Sequence, residues 1–497
     1  MIERELKLLV PGHRRAALDK ELRRQKAVPV SLHACYFDTE TRELAQAKIA
    51  LRLRLEGDQW VQTVKMPGTD ELSRIELNHP RPDASLDLGV YKRTVVAAAF
   101  KKLQHPLVQR YETVVERLVL KKQTRNGVVE LAYDTGVIKA GTLELPLCEL
   151  EFELLSGDAR DMMSLGERWL KKYHLMVDLR SKAERGDNLA NGSPAMKPRH
   201  AGAIHLDPAL GMDAAYIACA TDCVNQIVRN ATLLGSIDER DENAALLVGY
   251  VHQLRVGIRR LRSCWKFFGK WLALDIEELG AELRDYFGQL GLARDADVLR
   301  VDITPRLVAA GMPAPVAPQP ARADQPGAKA LVASPSFQAS LLKLLAHLLM
   351  TGEIATGQDA RAPRAGKGNL GKALGKRLNS WLNAMCEEGS QFEHLTEHAQ
   401  HDMRKDVKRL RYSMEFSSSL LSPESMGPLR DALMNVQKVL GELNDLYVAQ
   451  RYYQPLAATQ SHAMFALGWL RAMQDTKKAQ AQAAFRHLRD AGRFKPA

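Results

Sequence analysis

The stretch CELEFELL constrains this chain more than any other, because Glu149, Glu151 and Glu153 alternate with Leu150, Phe152 and Leu154. A period of two puts the acids on one face of a strand and the apolar residues on the other. The pattern recurs. In MIERELKLLV, Glu3, Glu5 and Lys7 oppose Ile2, Leu6, Leu8 and Val10, and in ALRLRLEG, Arg52 and Arg54 alternate with Leu51, Leu53 and Leu55. Arg74 and Glu76 alternate with Ile75 and Leu77, and Lys65 ends VQTVK. A solvated outer sheet face explains alternation in any one strand. It does not explain segregation by sign: charges two residues apart on a strand stand ~6.6 Å apart and repel by ~2.5 kcal/mol at an effective dielectric of about 20. Crowding of this kind is tolerated where a counterion occupies the space between. Carboxylates ask for a hard divalent cation, and the arginines and lysines ask for phosphate. If the strands close with their charged faces inward, one compartment holds both.

The 497 residues, 45% hydrophobic and 26% charged, have an ordinary globular composition with length for roughly three domain-sized units. The charged opening stretch and the lack of a long apolar run give a cytoplasmic reading. The six cysteines form no CxxC pair, which fits reduced, mostly buried thiols, Cys219 and Cys223 sharing a helix face. A net charge of +11 makes an anionic partner plausible. Strand patterns dominate up to about Leu155, with helical interruptions at Arg14 to Gln25 and Asp158 to Tyr173. A Gly-, Pro- and Asn-rich stretch at 187–207 reads as a linker, and from Pro208 onward the periodicity is helical.

The helical half contains a repeat. His252-Gln-Leu-Arg255 through Arg262 aligns with His401-Asp-Met-Arg404 through Arg411, and Leu290-Gly291 through Arg294-Asp295 aligns with Leu440-Gly441 through Asn444-Asp445. Two blocks at nearly equal offset point to a duplicated antiparallel helical bundle, its repeats at about 208–310 and 371–497. Pro- and Gly-rich insertions lie between them. In these, Arg322, Lys329, Arg361, Arg364, Lys367 and Lys372 read as solvated loop residues.

Residues 1–186 resemble the CYTH domain, or triphosphate tunnel metalloenzymes. The resemblance rests on Glu3-x-Glu5-x-Lys7, Arg52-x-Arg54, Lys65, Arg74-x-Glu76, Glu149-x-Glu151-x-Glu153 and Ser181-Lys182-x-x-Arg185. It implies an eight-stranded antiparallel β tunnel, so that the fold class is α+β: this tunnel followed by an all-α duplicated helical-bundle domain. It also implies hydrolysis of inorganic triphosphate, with Glu3, Glu5, Glu149, Glu151 and Glu153 holding Mg²⁺ or Mn²⁺. Lys7, Arg52, Arg54, Lys65, Arg74, Glu76, Lys182 and Arg185 would form the triphosphate site, and Glu3 or Glu5 would orient the attacking water as the catalytic group. Where the family often has a third acid on its middle strand, this chain has Asn78. Arg117, Glu130 and Asp134 have strand positions that suit the channel and suit an ordinary surface equally, whereas Trp60 and Tyr36 read as core.

His252, Arg255, Arg259 and Arg262, at 0, +3, +7 and +10, fall within an ~80° arc of one helix, and His401, Arg404, Lys408 and Arg411 repeat the stripe. Neighbouring cations disfavour a metal at the histidines and favour phosphate. Residues 208–497 resemble the CHAD domain, which implies binding of long-chain inorganic polyphosphate by these eight residues and an association with polyphosphate granules. Two other readings compete: a non-catalytic polyphosphate anchor, and another tunnel activity such as adenylate cyclase or thiamine triphosphatase. A nucleic-acid binder ranks lower, since aromatic residues make up only 6% of the chain and no groove-reading motif is present. The sequence leaves the oligomeric state open.

Overall fold

The computed structural model describes residues 2–193, 195–237, 243–291, 299–313, 327–356 and 370–497. They fall into two compact units. The first comprises residues 1–200, 224–254 and 328–350, and the second residues 201–223, 255–327 and 351–497.

The first unit is built on β1 (Ile2–Leu9), β2 (Val28–Asp38), β3 (Ala50–Glu56), β4 (Gln59–Pro67), β5 (Ser73–Arg81), β6 (Val108–Gln123), β7 (Val128–Ala140) and β8 (Leu143–Ser156). Neighbours run in the order β5-β4-β3-β2-β6-β7-β8-β1, and β1 pairs again with β5, so eight antiparallel strands close into a ring. A two-residue strand, β9 (Met176–Val177), adds to β1. β1 divides its partners: Ile2 to Arg4 pair with β5 and Glu5 to Leu9 with β8.

The register fixes which side chains share a face. Glu3 lies opposite Arg74, Lys7 opposite Glu151, Lys65 opposite Glu76, and Arg117 opposite Asp134, itself opposite Glu149. The charged residues of the alternating strands therefore line the inside of the ring, and the apolar residues look outward. That inversion obliges the outside to be covered. Leu6, Leu8, Leu150 and Phe152 are fully buried. The amphipathic helix Ala159–Tyr173 lies over them, Trp169 meeting Phe152 edge-on at 6.3 Å. It packs so closely that a Cβ on Gly166 would stand 2.4 Å from Leu6. A second cover of short helices and loops buries Leu44, Ile49, Leu51, Val64, Tyr91 and Val96.

Inside, one end is apolar. Helix Lys182–Ala190, N-capped by Ser181, packs Leu189 into a cluster with Ala34, Tyr36, Tyr111, Val115 and Ile138. This helix extends into the stretch read as linker. Helical residues 224–236 and 328–350 belong to the barrel's unit too: Thr232 Oγ1 donates to the Val177 carbonyl at 2.7 Å, and Val177 N–H donates to Gln338 at 2.8 Å.

The second unit is helical. Helices Pro423–Leu456 and Ser461–Asp490 pack on Leu299, Ile303, Leu307 and Met312 through Leu446, Ala449, Tyr453, Ala463, Ala466 and Leu470. Between the two repeats the chain also forms helix Pro335–Thr356. All six cysteines are unpaired thiols, and among them Cys219 and Cys223 are buried on one helix. No described helix is long and apolar enough to cross a membrane.

Candidate active site

Two linked ion clusters occupy the barrel interior. In the first, Lys65 Nζ stands 2.8 Å from Glu3 and 2.7 Å from Glu76, and Arg52 reaches Glu76 at 3.5 Å. In the second, Lys182 Nζ lies 2.7 Å from Asp134 and 2.6 Å from Glu151 and also contacts Glu149. Arg117 holds Asp134 in a fork at 2.6 and 2.7 Å and reaches Glu151 at 2.8 Å. Arg185 pairs with Glu149. Lys7, opposite Glu151, comes to 4.0 Å from Glu5.

The carboxylates titrate apart. Burial and a hydrogen bond shared with Glu76 push the Glu3 carboxyl up to about 8 against the pull of Lys65. Glu76 goes the other way: burial opposes ionisation, but the Glu3 hydrogen bond, Lys65 and Arg52 hold it well below the usual carboxylate range. Glu3 thus keeps a proton at neutral pH while Glu76 carries the charge. Burial and the charge of Glu151 raise Glu5. Glu151 is lowered, because Lys182, Arg117 and Lys7 outweigh its burial.

The acids suit a divalent ion. Asp134, Glu149 and Glu151 each offer an oxygen within 4.8 Å of the others, a set of hard donors fit for Mg²⁺ or Mn²⁺. Lys182 already serves as a cation in that cluster. Glu153 sits farther along β8, raised by burial and by Glu130. Arg54 pairs with Glu56 at 2.6 Å, and Arg74 donates to the carbonyls of Ser73 and Glu71 at 2.7 and 3.1 Å.

Arg117 and Asp134, whose placement the sequence left open, are central to the network, and Asp134 is fully buried. Neither has a charged residue two positions away on its own strand, so no run of like charge marked it. Tyr36 is core, as expected, stacked on Tyr111 at 4.7 Å. Its hydroxyl also faces the cations: burial raises it, but Arg52 and Lys182 bring it below its ordinary value.

In the second unit, Arg255 departs from an open basic stripe. It is 9% exposed, donates to the Phe287 carbonyl at 2.9 Å and lies over the Phe287 ring at 4.2 Å. Gly291 leaves it room, since a Cβ there would meet the guanidinium at 2.7 Å. Arg259 also lies over Phe287, at 5.7 Å, and Arg262 is lowered by partial burial and by Arg284 and Arg409. His252 is exposed on the same helix, Ala244–Phe268, and is grouped with the first unit. In the second stripe Arg411 donates to Gln437 at 2.7 Å and pairs with Glu415, so it too is engaged within the protein. Lys408 is half-buried beside these residues on helix Glu397–Phe416. His401 and Arg404 line a cavity of about 380 Å³ together with Gln400, Asn444, Tyr447 and Arg451. Partial burial, Lys405 and Arg404 lower the His401 imidazole. Arg294 and Asp295 of the first repeat, with Arg322, Arg361, Arg364 and Lys367, lie outside the described residues.

Comparison with known proteins finds two domains in the chain. Residues 1–186 match the CYTH domain and residues 223–454 the CHAD domain. An inorganic triphosphatase of Haemophilus influenzae is 30% identical over 158 residues, a match spanning 30% of this chain and 44% of that protein's own length. An uncharacterised protein of Mycobacterium tuberculosis is 27% identical over 492 residues, covering 92% of this chain and 90% of its own. Among solved structures, the CHAD domain from Ricinus communis aligns at 25% identity over 60% of this chain and 99% of that one, with a TM-score of 0.47. The Hippeastrum protein HpAC1, a putative adenylyl cyclase described as having a dominant triphosphatase activity, aligns at 17% identity. That alignment covers 38% of this chain and 96% of the other, with a TM-score of 0.27.

Proposed function

We propose, for a chain that joins a CYTH domain to a CHAD domain, that the tunnel hydrolyses inorganic triphosphate to pyrophosphate and phosphate and that the helical domain binds long-chain polyphosphate. One observation carries the enzyme reading. Glu3, Glu5, Glu76, Asp134, Glu149 and Glu151 share an interior with Lys7, Arg52, Lys65, Arg117, Lys182 and Arg185, in a lattice built to hold anions and cations together.

Phosphoryl transfer leaves a protein little covalent work beyond positioning and charge neutralisation. Arg52, Lys65, Arg117 and Lys182 would turn from their carboxylate partners to the phosphate oxygens. Glu149, Glu151 and Asp134, with Glu5, would hold Mg²⁺ or Mn²⁺, which supplies charge neutralisation at the phosphates and a more acidic water. Glu3 or Glu5 would orient the water that attacks the terminal phosphorus, whose proton passes to an ionised carboxylate of the cluster rather than to the already protonated Glu3, while the pyrophosphate oxygen leaves with the bond electrons. His252, Arg259, Arg262, His401, Arg404 and Lys408 would meet polyphosphate, and Arg255 and Arg411 would act by shaping those faces.

Two double variants test the division of labour. Glu3→Gln with Glu5→Gln should abolish phosphate release and spare long-chain binding; His252→Ala with His401→Ala should do the reverse. A folded protein in which either pair damages both functions overturns it. Chelator-insensitive silence towards triphosphate would favour the anchor reading.

A further inference from the structure

We propose that His33, Cys35 and Glu112 form a zinc-class metal site on the outer wall of the barrel, separate from the tunnel. His33 and Cys35 alternate with the inward-facing Ala34 and Tyr36 on β2, so both point outward, and Glu112 on β6 is the register partner of Cys35. One donor atom from each of the three lies within 4.8 Å of the others, and His33 Nε2 stands 2.9 Å from Glu112.

The set is chemically distinct from the tunnel acids. A thiolate, an imidazole and a carboxylate suit a borderline-soft ion and disfavour Mg²⁺. Ligand atoms bonded to zinc at about 2.0–2.3 Å in a tetrahedron stand roughly 3.5 Å apart, so side-chain rotation on a fixed two-strand backbone closes the site. Three protein ligands leave the fourth position to water. A plain surface ion pair accounts for His33 and Glu112 but leaves the thiol without a purpose. Cys35 is also the one cysteine of the six that is not buried. Lys139, opposite Glu112 on β7, is paired with Glu144 at 3.2 Å.

The test uses the full chain in excess Mg²⁺, added to compete for the tunnel carboxylates, titrated with Zn²⁺ against a chromophoric chelator and separately with Co²⁺. The wild type should bind one more Zn²⁺ than Cys35→Ser and show a thiolate-to-cobalt charge-transfer band that this variant lacks. His33→Ala or Glu112→Gln should weaken zinc at least roughly tenfold, since even outer-shell losses cost 10–100-fold. Matching thermal unfolding of the metal-free proteins establishes that the variants are folded. Equal zinc stoichiometry in wild type and Cys35→Ser, or a charge-transfer band that survives the substitution, overturns the proposal.

Discussion

Replacing Lys182 by Gln probes the barrel's electrostatics directly, because one ammonium group serves Asp134, Glu149 and Glu151 at once. Its side chain is only 14% exposed and Asp134 is fully buried, so solvent gives little relief when the cation goes. Removing one partner from a buried ion network costs about 3–5 kcal/mol. For a domain of this size that is roughly 6–20 °C in melting temperature. Two signatures separate this from a packing defect. The first is pH: Lys182 is the strongest influence lowering Glu151, so its loss costs most where that carboxylate is ionised, and the deficit shrinks as pH falls and the carboxylate takes up a proton. The second is rescue, since Mg²⁺ or Mn²⁺ entering the acid cluster restores the missing charge and should stabilise the variant more than the wild type. Thermal unfolding at pH 5 and 8, with and without divalent ion, reads both. A variant within 1 kcal/mol of wild type at pH 8 without metal, or equal stabilisation of both proteins by Mg²⁺, would show that Lys182 does not neutralise these acids.

Asp178 is lowered, because Arg180 at 2.7 Å, Arg185 and Lys7 outweigh its burial. It should therefore stabilise the fold above the unfolded carboxyl value of ~3.9 and cease to do so as pH falls below it. Asp178→Asn should lose about 1.5–3 kcal/mol at pH 7 and converge on wild type in acid, as followed by urea midpoints. A Cβ at Gly186 would stand 2.2 Å from the Tyr111 ring, so Gly186→Ala should cost about 1–3 kcal/mol and show as a lower denaturation midpoint. His401 is lowered by burial and its cationic neighbours, so a bound polyanion should raise it and take up a proton. Polyphosphate affinity should then tighten as pH falls from 8 to 6, by severalfold and at most about tenfold if the polyanion moves the imidazole's titration midpoint up by one pH unit, and His401→Ala should flatten that dependence in a binding titration.

Alternation carried the barrel. Stacked like charges in β1, β3 and β8 marked a face that could not be left bare, and the register supplied what periodicity lacks, namely which strand answers which. The sequence leaves Arg117 and Asp134 open between channel and surface because a charge without a like-charged neighbour two residues away reads the same in either place. Only their cross-strand pairing distinguishes the two. On the helices, the wheel set the direction of Arg255 and Arg411 but not what lay across from them, Phe287 in one case and Glu415 and Gln437 in the other. Arg260, off the stripe, is 2% exposed and pairs with Asp222 at 2.8 Å, a buried role that composition disguised as surface charge. Likewise, helical periodicity covered residues 224–254 but carried no sign of which core they join, while residues 328–350, read as part of the insertion region with Lys329 as a solvated loop residue, are largely helical and belong to the barrel's unit.

If the inward charges of the barrel form a triphosphate and cation site, hydrolysis must depend on the ion that the acids would hold. Phosphate release from inorganic triphosphate by the full chain, followed as Mg²⁺ is raised from chelated to saturating, meets that requirement head on. Such a site predicts silence under chelation and turnover once the ion is supplied; no release under either condition, with Mn²⁺ as well as Mg²⁺, would contradict it.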